Sequence, residues 1–155
     1  MDQTAFQDLY PDDYANCYGC GRNNKSGLHL KSYWDGEESV CRHTPDSRYS
    51  GGVPGFLYGG MIASLMDCHG AGTAAAAKSR ETGEPISRFV TASLKVDYLK
   101  PTPLGIELEI RARVTEIKGR KVTVNLRLLA DNILCAKGTA VMVEIPAPPA
   151  EQETR

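Results

Sequence analysis

Gly59 and Gly60 stand eight and seven residues before Asp67 in the run YGGMIASLMDCHGAGTA, residues 58–74. If this run is helical, the glycines fall in its first turn, where backbone N–H groups lack intrahelical acceptors and the dipole is positive. Glycine there lets a ligand oxygen reach the amides, so the position suits a developing oxyanion. Asp67 then lies two turns on, about 10–12 Å down the axis at 1.5 Å per residue, a span that an extended acyl group or thioester bridges. A carboxylate near a carbonyl whose oxygen is held by amides can activate water or attack the carbon itself, which is acyl-transfer chemistry. A lone Gly-Gly pair is equally a flexible junction between loop and helix; its spacing to Asp67 is what gives it weight.

The element that must position these groups is a helix over residues 60–78, rich in alanine and long enough for about five turns, with Lys78 and Arg80 near the negative end of its dipole. Steps of about 100° place Leu65, Met66, His69 and Thr73 on one side and Ala63, Asp67, Gly70, Ala71 and Ala74 on another. Bulky residues on one face and small ones on the other predict a helix buried nearly all round, with Asp67 in a close-packed seam. A buried carboxylate costs several kcal/mol unless paired or hydrated, which points to a functional acid; on a more exposed helix Asp67 is simply solvated.

Around this helix the sequence alternates apolar and polar residues. Leu28–Trp34 and Glu37–His43 flank Asp35-Gly36, a hairpin signal, and the loop TPDSRYSGGVPGFLYGG leads into the helix. After TGEP come ISRFVTASLKVDYL, GIELEIRARVTEI and KVTVNLRLLADNILCAKGTAVMVEI, the last split at Asp131-Asn132. The short connectors KPTPLG and KGR predict antiparallel neighbours. The order is two strands, one long helix and four strands. Residues 1–27 read as an N-terminal arm and CxxC loop, 28–145 as the single folded domain, and 146–155 as a disordered tail.

With 18 Lys plus Arg against 19 Asp plus Glu in 155 residues, there is no basic field for nucleic acid. No apolar run approaches the roughly 20 residues that span a bilayer, and no basic-then-apolar leader opens the chain. The reading is a soluble, cytoplasmic protein without nucleic-acid or membrane partners. An odd count of 5 cysteines argues against a disulfide framework. Cys17-x-x-Cys20 is half of a zinc site, but His29, His43 and Cys41 supply no second pair at finger-like spacing, so no metal is expected. His69, spaced with Ile62, Leu65 and Met66, reads as a hydrogen-bonded core histidine, and His29 and His43 as surface strand residues.

The run YGGMIASLMDCHGAGTA resembles the HGGxxxxLxD core of hotdog thioesterases of the phenylacetic-acid-degradation and THEM type in the 4HBT superfamily, with Asp67 at the acid position. TASLKVDYLKPTPLG is similar to the strand and turn after that helix, and CYGCGRNNKSGL to the family's CFGCG opening, so the likeness covers roughly residues 17–145. It implies an α+β hotdog fold, a long central helix wrapped by a roughly six-stranded antiparallel sheet. Two subunits then pair their sheets, as a dimer or a dimer of dimers, with active sites at the interface.

The resemblance also implies roles. The Gly59 amide polarises the carbonyl of an acyl-CoA thioester, Asp67 is general base or nucleophile, and Thr91, with Ser93 nearby, helps place the water. Gly60 and Tyr58 belong to the substrate site; coenzyme A enters as part of the substrate and no separate cofactor is implied. Two positions depart from the pattern: the family's histidine before the glycine pair is Tyr58, and SGGVPGF offers Ser50 where an Asn or Gln is usual. A phenol, with its pKa near 10, is a poor base at pH 7, so Tyr58 is expected to bind rather than abstract a proton. Phe56, Leu57 and Tyr58 favour an aryl or medium-chain acyl group. Two alternatives stand beside hydrolysis: a non-catalytic acyl-CoA-binding protein, and a hotdog dehydratase or hydratase, which needs a histidine near the thioester.

Overall fold

The structure is a computed structural model, described here for residues 3–148. It has the α+β hotdog architecture, one long helix packed against a six-stranded antiparallel sheet. Strands β1 (Ser32–Asp35) and β2 (Glu38–His43) precede helix α1 (Gly59–Thr82); β3 (Phe89–Tyr98), β4 (Leu108–Lys118), β5 (Lys121–Ala130) and β6 (Ile133–Glu144) follow it. The sheet runs β1-β2-β4-β5-β6-β3, which leaves β3 at one edge.

Three two-residue turns set the register. Gly36, at φ 64°, opens the β1–β2 turn, with Asp35 opposite Glu38. Gly119, at φ 60°, opens the β4–β5 turn between Lys118 and Lys121. Asp131 and Asn132, at φ 48° and 62°, make the β5–β6 turn, two left-handed residues in succession as a type I′ hairpin requires. Helix α1 ends on Gly83 in the left-handed region (φ 77°), whose N–H closes on the Ser79 carbonyl at 2.8 Å. The helix is one residue longer at its start and four longer at its end than the sequence predicts.

The first strand begins later than the alternation suggests. His29 takes φ 54°, and the flanking Leu28 and Leu30 amides donate to the carbonyls of Tyr18 (2.8 Å) and Gly19 (3.0 Å). The segment thus pairs with the cysteine loop, and the regular strand starts at Ser32.

The core lies between sheet and helix, with Met66, Leu65, Ile110, Leu126, Leu128 and Met142 fully buried. Gly70 permits the close approach: a Cβ there would stand 3.1 Å from the Met142 methyl and 3.5 Å from Ala140 Cβ. The N-terminal arm covers another side of the helix. Its two short 3₁₀ turns, Phe6–Leu9 and Asp12–Tyr14, bury Phe6, Gln7 and Tyr10, and Phe6 packs on Trp34 at 5.2 Å. Every helix residue from Cys68 to Ala77 is buried as a result, whereas Asp67, Ala63 and Ser64 remain partly exposed.

Candidate active site

The start of α1 is held by backbone contacts. Tyr58 is the extended N-cap residue; its carbonyl accepts from the Met61 and Ile62 amides (3.1 and 3.4 Å), and its own N–H donates to the Tyr49 carbonyl at 3.1 Å. Leu57 N–H donates to the Thr102 carbonyl at 2.8 Å, fixing the loop from the other side. Among the described residues no acceptor meets the Gly59 or Gly60 N–H, and no side chain caps the helix. Tyr98 Oη donates to the Gly59 carbonyl at 2.8 Å, and its ring stands 3.3 Å from where a Gly59 Cβ would be. A side chain at Gly59 would press on that ring, which would have to give by a few tenths of an ångström.

Asp67 is half-buried, and its carboxylate accepts a hydrogen bond from Thr91 Oγ1 on β3. The sheet register explains why Thr91 is the partner. Thr91 lies opposite Met142, which is fully buried beneath the helix, so both face α1. A bulge between Thr91 and Ser93 then reverses the alternation. Ser93 pairs with Val141 and points with Lys95 to the open side of the sheet. Thr91 therefore joins Asp67 within the chain, and Ser93 does not.

A groove of about 240 Å³ begins at Gly59 and runs between Leu57, Ile62, Tyr98, Leu99 and Thr102. Tyr58 is exposed at its edge, with its ring 6.4 Å from that of Tyr49. A further concavity, about 470 Å³, lies on the open face of the sheet between Lys95, Arg111, Arg127 and Lys137, and neither Gly59 nor Asp67 lines it.

With this geometry in view, the family whose description is Thioesterase superfamily matches residues 54–136, more than half of the chain. The chain belongs to the thioesterase superfamily. It is 46% identical to a thioesterase superfamily protein from Shewanella loihica PV-4, whose crystal structure superposes with a TM-score of 0.69 over 87% of this chain and 98% of that one. It is 35% identical over 108 residues to the acyl-coenzyme A thioesterase THEM4 of Xenopus laevis, covering 68% of this chain and 45% of the relative. The chain thus spans less than half the length of the curated relatives it matches. The Escherichia coli PaaI protein of the phenylacetic acid degradation operon shares the fold at 17% identity, with a TM-score of 0.64 over 77% of this chain and 81% of that one.

Among the described residues no histidine is hydrogen-bonded to Tyr58, Gly59 or Gly60 at the helix start. His69 is fully buried, bonded through Nδ1 to Ser32 Oγ (2.8 Å) and through Nε2 to Ser39 Oγ (3.0 Å), a core histidine as its spacing predicts. Burial pushes its pKa down to about 4. His43 is on β2 opposite Leu108, half-buried, and His29 is a loop residue bonded to the Asn24 carbonyl, off the strand expected for it.

Sequence reasoning missed two features. Tyr98, at the end of β3, reaches back to the helix start, a contact across 39 residues that no local pattern announces. Cys68 joins the Cys17/Cys20 pair, and all three Sγ atoms lie within 4.8 Å of one another. Among the described residues no helix is long and apolar enough to cross a membrane.

Proposed function

We propose that the protein hydrolyses acyl-coenzyme A thioesters to the free acid and coenzyme A, with an aryl or medium-chain acyl group. The reading rests first on the Asp67–Thr91 pair: a half-exposed carboxylate, oriented by a hydroxyl, on the helix that begins with the two open glycine amides. Membership of the thioesterase superfamily and similarity to an acyl-coenzyme A thioesterase support the substrate class.

In the proposed reaction the Gly59 N–H donates to the thioester oxygen as it becomes anionic. Asp67, as general base, takes a proton from water while the water oxygen bonds to the carbonyl carbon. The C–S bond then breaks, and the proton passes to the departing thiolate. The nucleophilic variant uses the same carboxylate to form an anhydride that water opens. Thr91 donates to Asp67 and retains lone pairs that can accept from the water. The groove beside Gly59, walled by Leu57, Ile62, Tyr98 and Leu99, suits an apolar acyl group.

Geometry favours a composite site. A donor on the carbonyl oxygen and a base on the attacking water must converge within a few ångströms of one carbon, whereas Gly59 and Asp67 of one chain stand about 12 Å apart along the helix axis. The proposal therefore pairs Gly59 of one protomer with Asp67 of another. Strand β3, which carries Thr91, has an unpaired outer edge over Phe89–Tyr98 that a second copy can extend.

A non-catalytic acyl-CoA-binding role is the second reading, favoured by Tyr58 in place of the family histidine. A dehydratase role needs a histidine at the thioester, and the position before the glycine pair holds Tyr58 instead. Thiol release from acetyl-, hexanoyl-, lauroyl-, phenylacetyl- and benzoyl-CoA, compared between wild type and Asp67→Ala, tests the proposal. Turnover abolished by the substitution supports hydrolysis; tight binding of acyl-CoA without thiol release by wild type moves the reading to a binding protein.

A further inference from the structure

Three thiols from two distant parts of the chain meet beside the proposed catalytic residue. Cys17 and Cys20 come from the N-terminal loop, and Cys68 follows Asp67 on α1. Cys17 Sγ and Cys68 Sγ are 3.8 Å apart, and all five cysteines of the chain are free. A zinc ion bound tetrahedrally at Zn–S distances of about 2.3 Å holds its sulfur ligands about 3.8 Å apart, so the observed separation suits a shared ion without backbone movement.

The loop is shaped to bring the sulfurs together. A Cβ at Gly19 would lie 2.2 Å from Cys68 Sγ, and one at Gly21 would lie 2.4 Å from the Cys17 nitrogen. Both glycines of CYGCG are therefore demanded by the cluster. The Gly21 amide donates to the Cys17 carbonyl at 2.8 Å, and the Leu28 and Leu30 amides hold Tyr18 and Gly19. Cys20 and Cys68 are buried, and Cys17 is partly open to solvent.

Two buried polar atoms in the surroundings have no partner: Tyr10 Oη, which packs against Gly72 one turn beyond Cys68, and Arg88 Nη1. The Arg88 guanidinium stacks over the Tyr10 ring at 4.5 Å, near enough to Cys20 for its charge to bear on that sulfur. Three thiolates around a divalent ion carry one net negative charge, which the half-buried Arg88 guanidinium balances.

We propose that Cys17, Cys20 and Cys68 form a three-thiolate site for a thiophilic d¹⁰ cation, zinc(II) or copper(I), that staples the N-terminal loop to α1 beside Asp67. Binding releases the thiol protons to solvent and changes no oxidation state. Copper(I) is complete with three sulfurs; zinc takes a fourth ligand from solvent, which reaches the site at the partly open Cys17. The single arginine favours zinc. The inference does not depend on hydrolase activity, and either can fail without the other.

The test uses the full chain, reduced with a phosphine and stripped of metal. Titration with zinc(II) and, anaerobically, with copper(I) is expected to give about one ion per chain, with the tighter ion naming the metal. Cobalt(II) should develop a thiolate-to-metal charge-transfer band that Cys68→Ser loses, with at least a hundredfold weaker zinc binding. Alkylation footprinting of the wild type should show zinc protecting Cys17, Cys20 and Cys68 while leaving Cys41 and Cys135 unchanged, which keeps the test valid if the serine variant fails to fold. No binding of either ion by the reduced wild type, or protection confined to other cysteines, would overturn the proposal, as would isolation of the native protein with a Cys17–Cys68 disulfide.

Discussion

Thr91 on β3 donates its hydroxyl to the carboxylate of Asp67 on α1, and this bond joins the edge strand to the partly open stretch of the helix. If Asp67 works as a base, Asp67→Asn should keep the shape of the site and lose proton transfer, lowering kcat by about 10²–10⁴-fold with acyl-CoA binding retained. Thr91→Val removes one hydrogen bond to a charged group, worth about 1.5–3 kcal/mol, and should lower kcat/KM roughly 10- to 100-fold. Steady-state thiol release on both variants checks this. Full activity in Asp67→Asn would remove Asp67 from the mechanism.

At the helix start the expected outcome depends on crowding. Gly59→Ala puts a methyl 3.3 Å from the Tyr98 ring, so either the ring or the first helical turn must shift. Because Tyr98 Oη also holds the Gly59 carbonyl at 2.8 Å, the shift is transmitted to the amide that would face the thioester oxygen. Loss of one oxyanion donor costs about 10²–10³-fold in kcat; a displaced donor should cost part of that. Tyr98→Phe, which removes the hydroxyl alone, should have a smaller effect in the same direction. Unchanged kcat in Gly59→Ala, measured beside circular dichroism to verify folding, would argue against the Gly59 amide as donor.

The pH dependence of stability should carry the signature of His69. Its folded pKa is pushed down to about 4 by burial, against an ordinary 6.5. Above 6.5 both folded and unfolded states hold it neutral. Between 6.5 and 4 the unfolded chain takes up a proton that the native state refuses, so stability falls as pH falls, by about 3 kcal/mol once below 4. His43, half-buried, is pushed the same way by desolvation and leaves a residual slope. Urea midpoints at pH 7, 6 and 5 should decline for wild type and decline less steeply for His69→Gln, which is less stable at pH 7 because Ser32 and Ser39 lose a partner. Equal slopes in the two proteins would assign the effect to other groups.

What could be read in advance follows from how local each signal is. The helix and the three tight turns announce themselves because spacing and residues such as Gly36, Asp131-Asn132 and Gly119 act over a few positions. Asp67 and Thr91 were each legible as site residues through resemblance to a known motif, but their hydrogen bond was not; alternation alone would have kept Ser93 beside Thr91, and the bulge between them turns Ser93 away. The late start of β1 depends on a left-handed residue, His29, and histidine's enrichment in that region is too weak to mark one position in advance. The meeting of Cys68 with Cys17 spans 51 residues of sequence and is created by the packing of the arm on α1, so a search for paired ligand spacings finds only half of it.

The composite site makes a prediction that a single-chain site does not share. Asp67→Asn and Gly59→Val should each be inactive alone. In a heterodimer the first supplies an intact Gly59 and the second an intact Asp67, so one of its two sites is whole and the other is doubly defective. Random reassortment of equal amounts should yield heterodimers as half of the population, and hence about a quarter of wild-type activity. Co-refolding or co-expression of the two variants, followed by thiol release and light scattering to establish the dimer, measures it. If Gly59 and Asp67 of the same chain serve one substrate, mixing restores nothing, because every chain in the mixture still lacks one of the two groups.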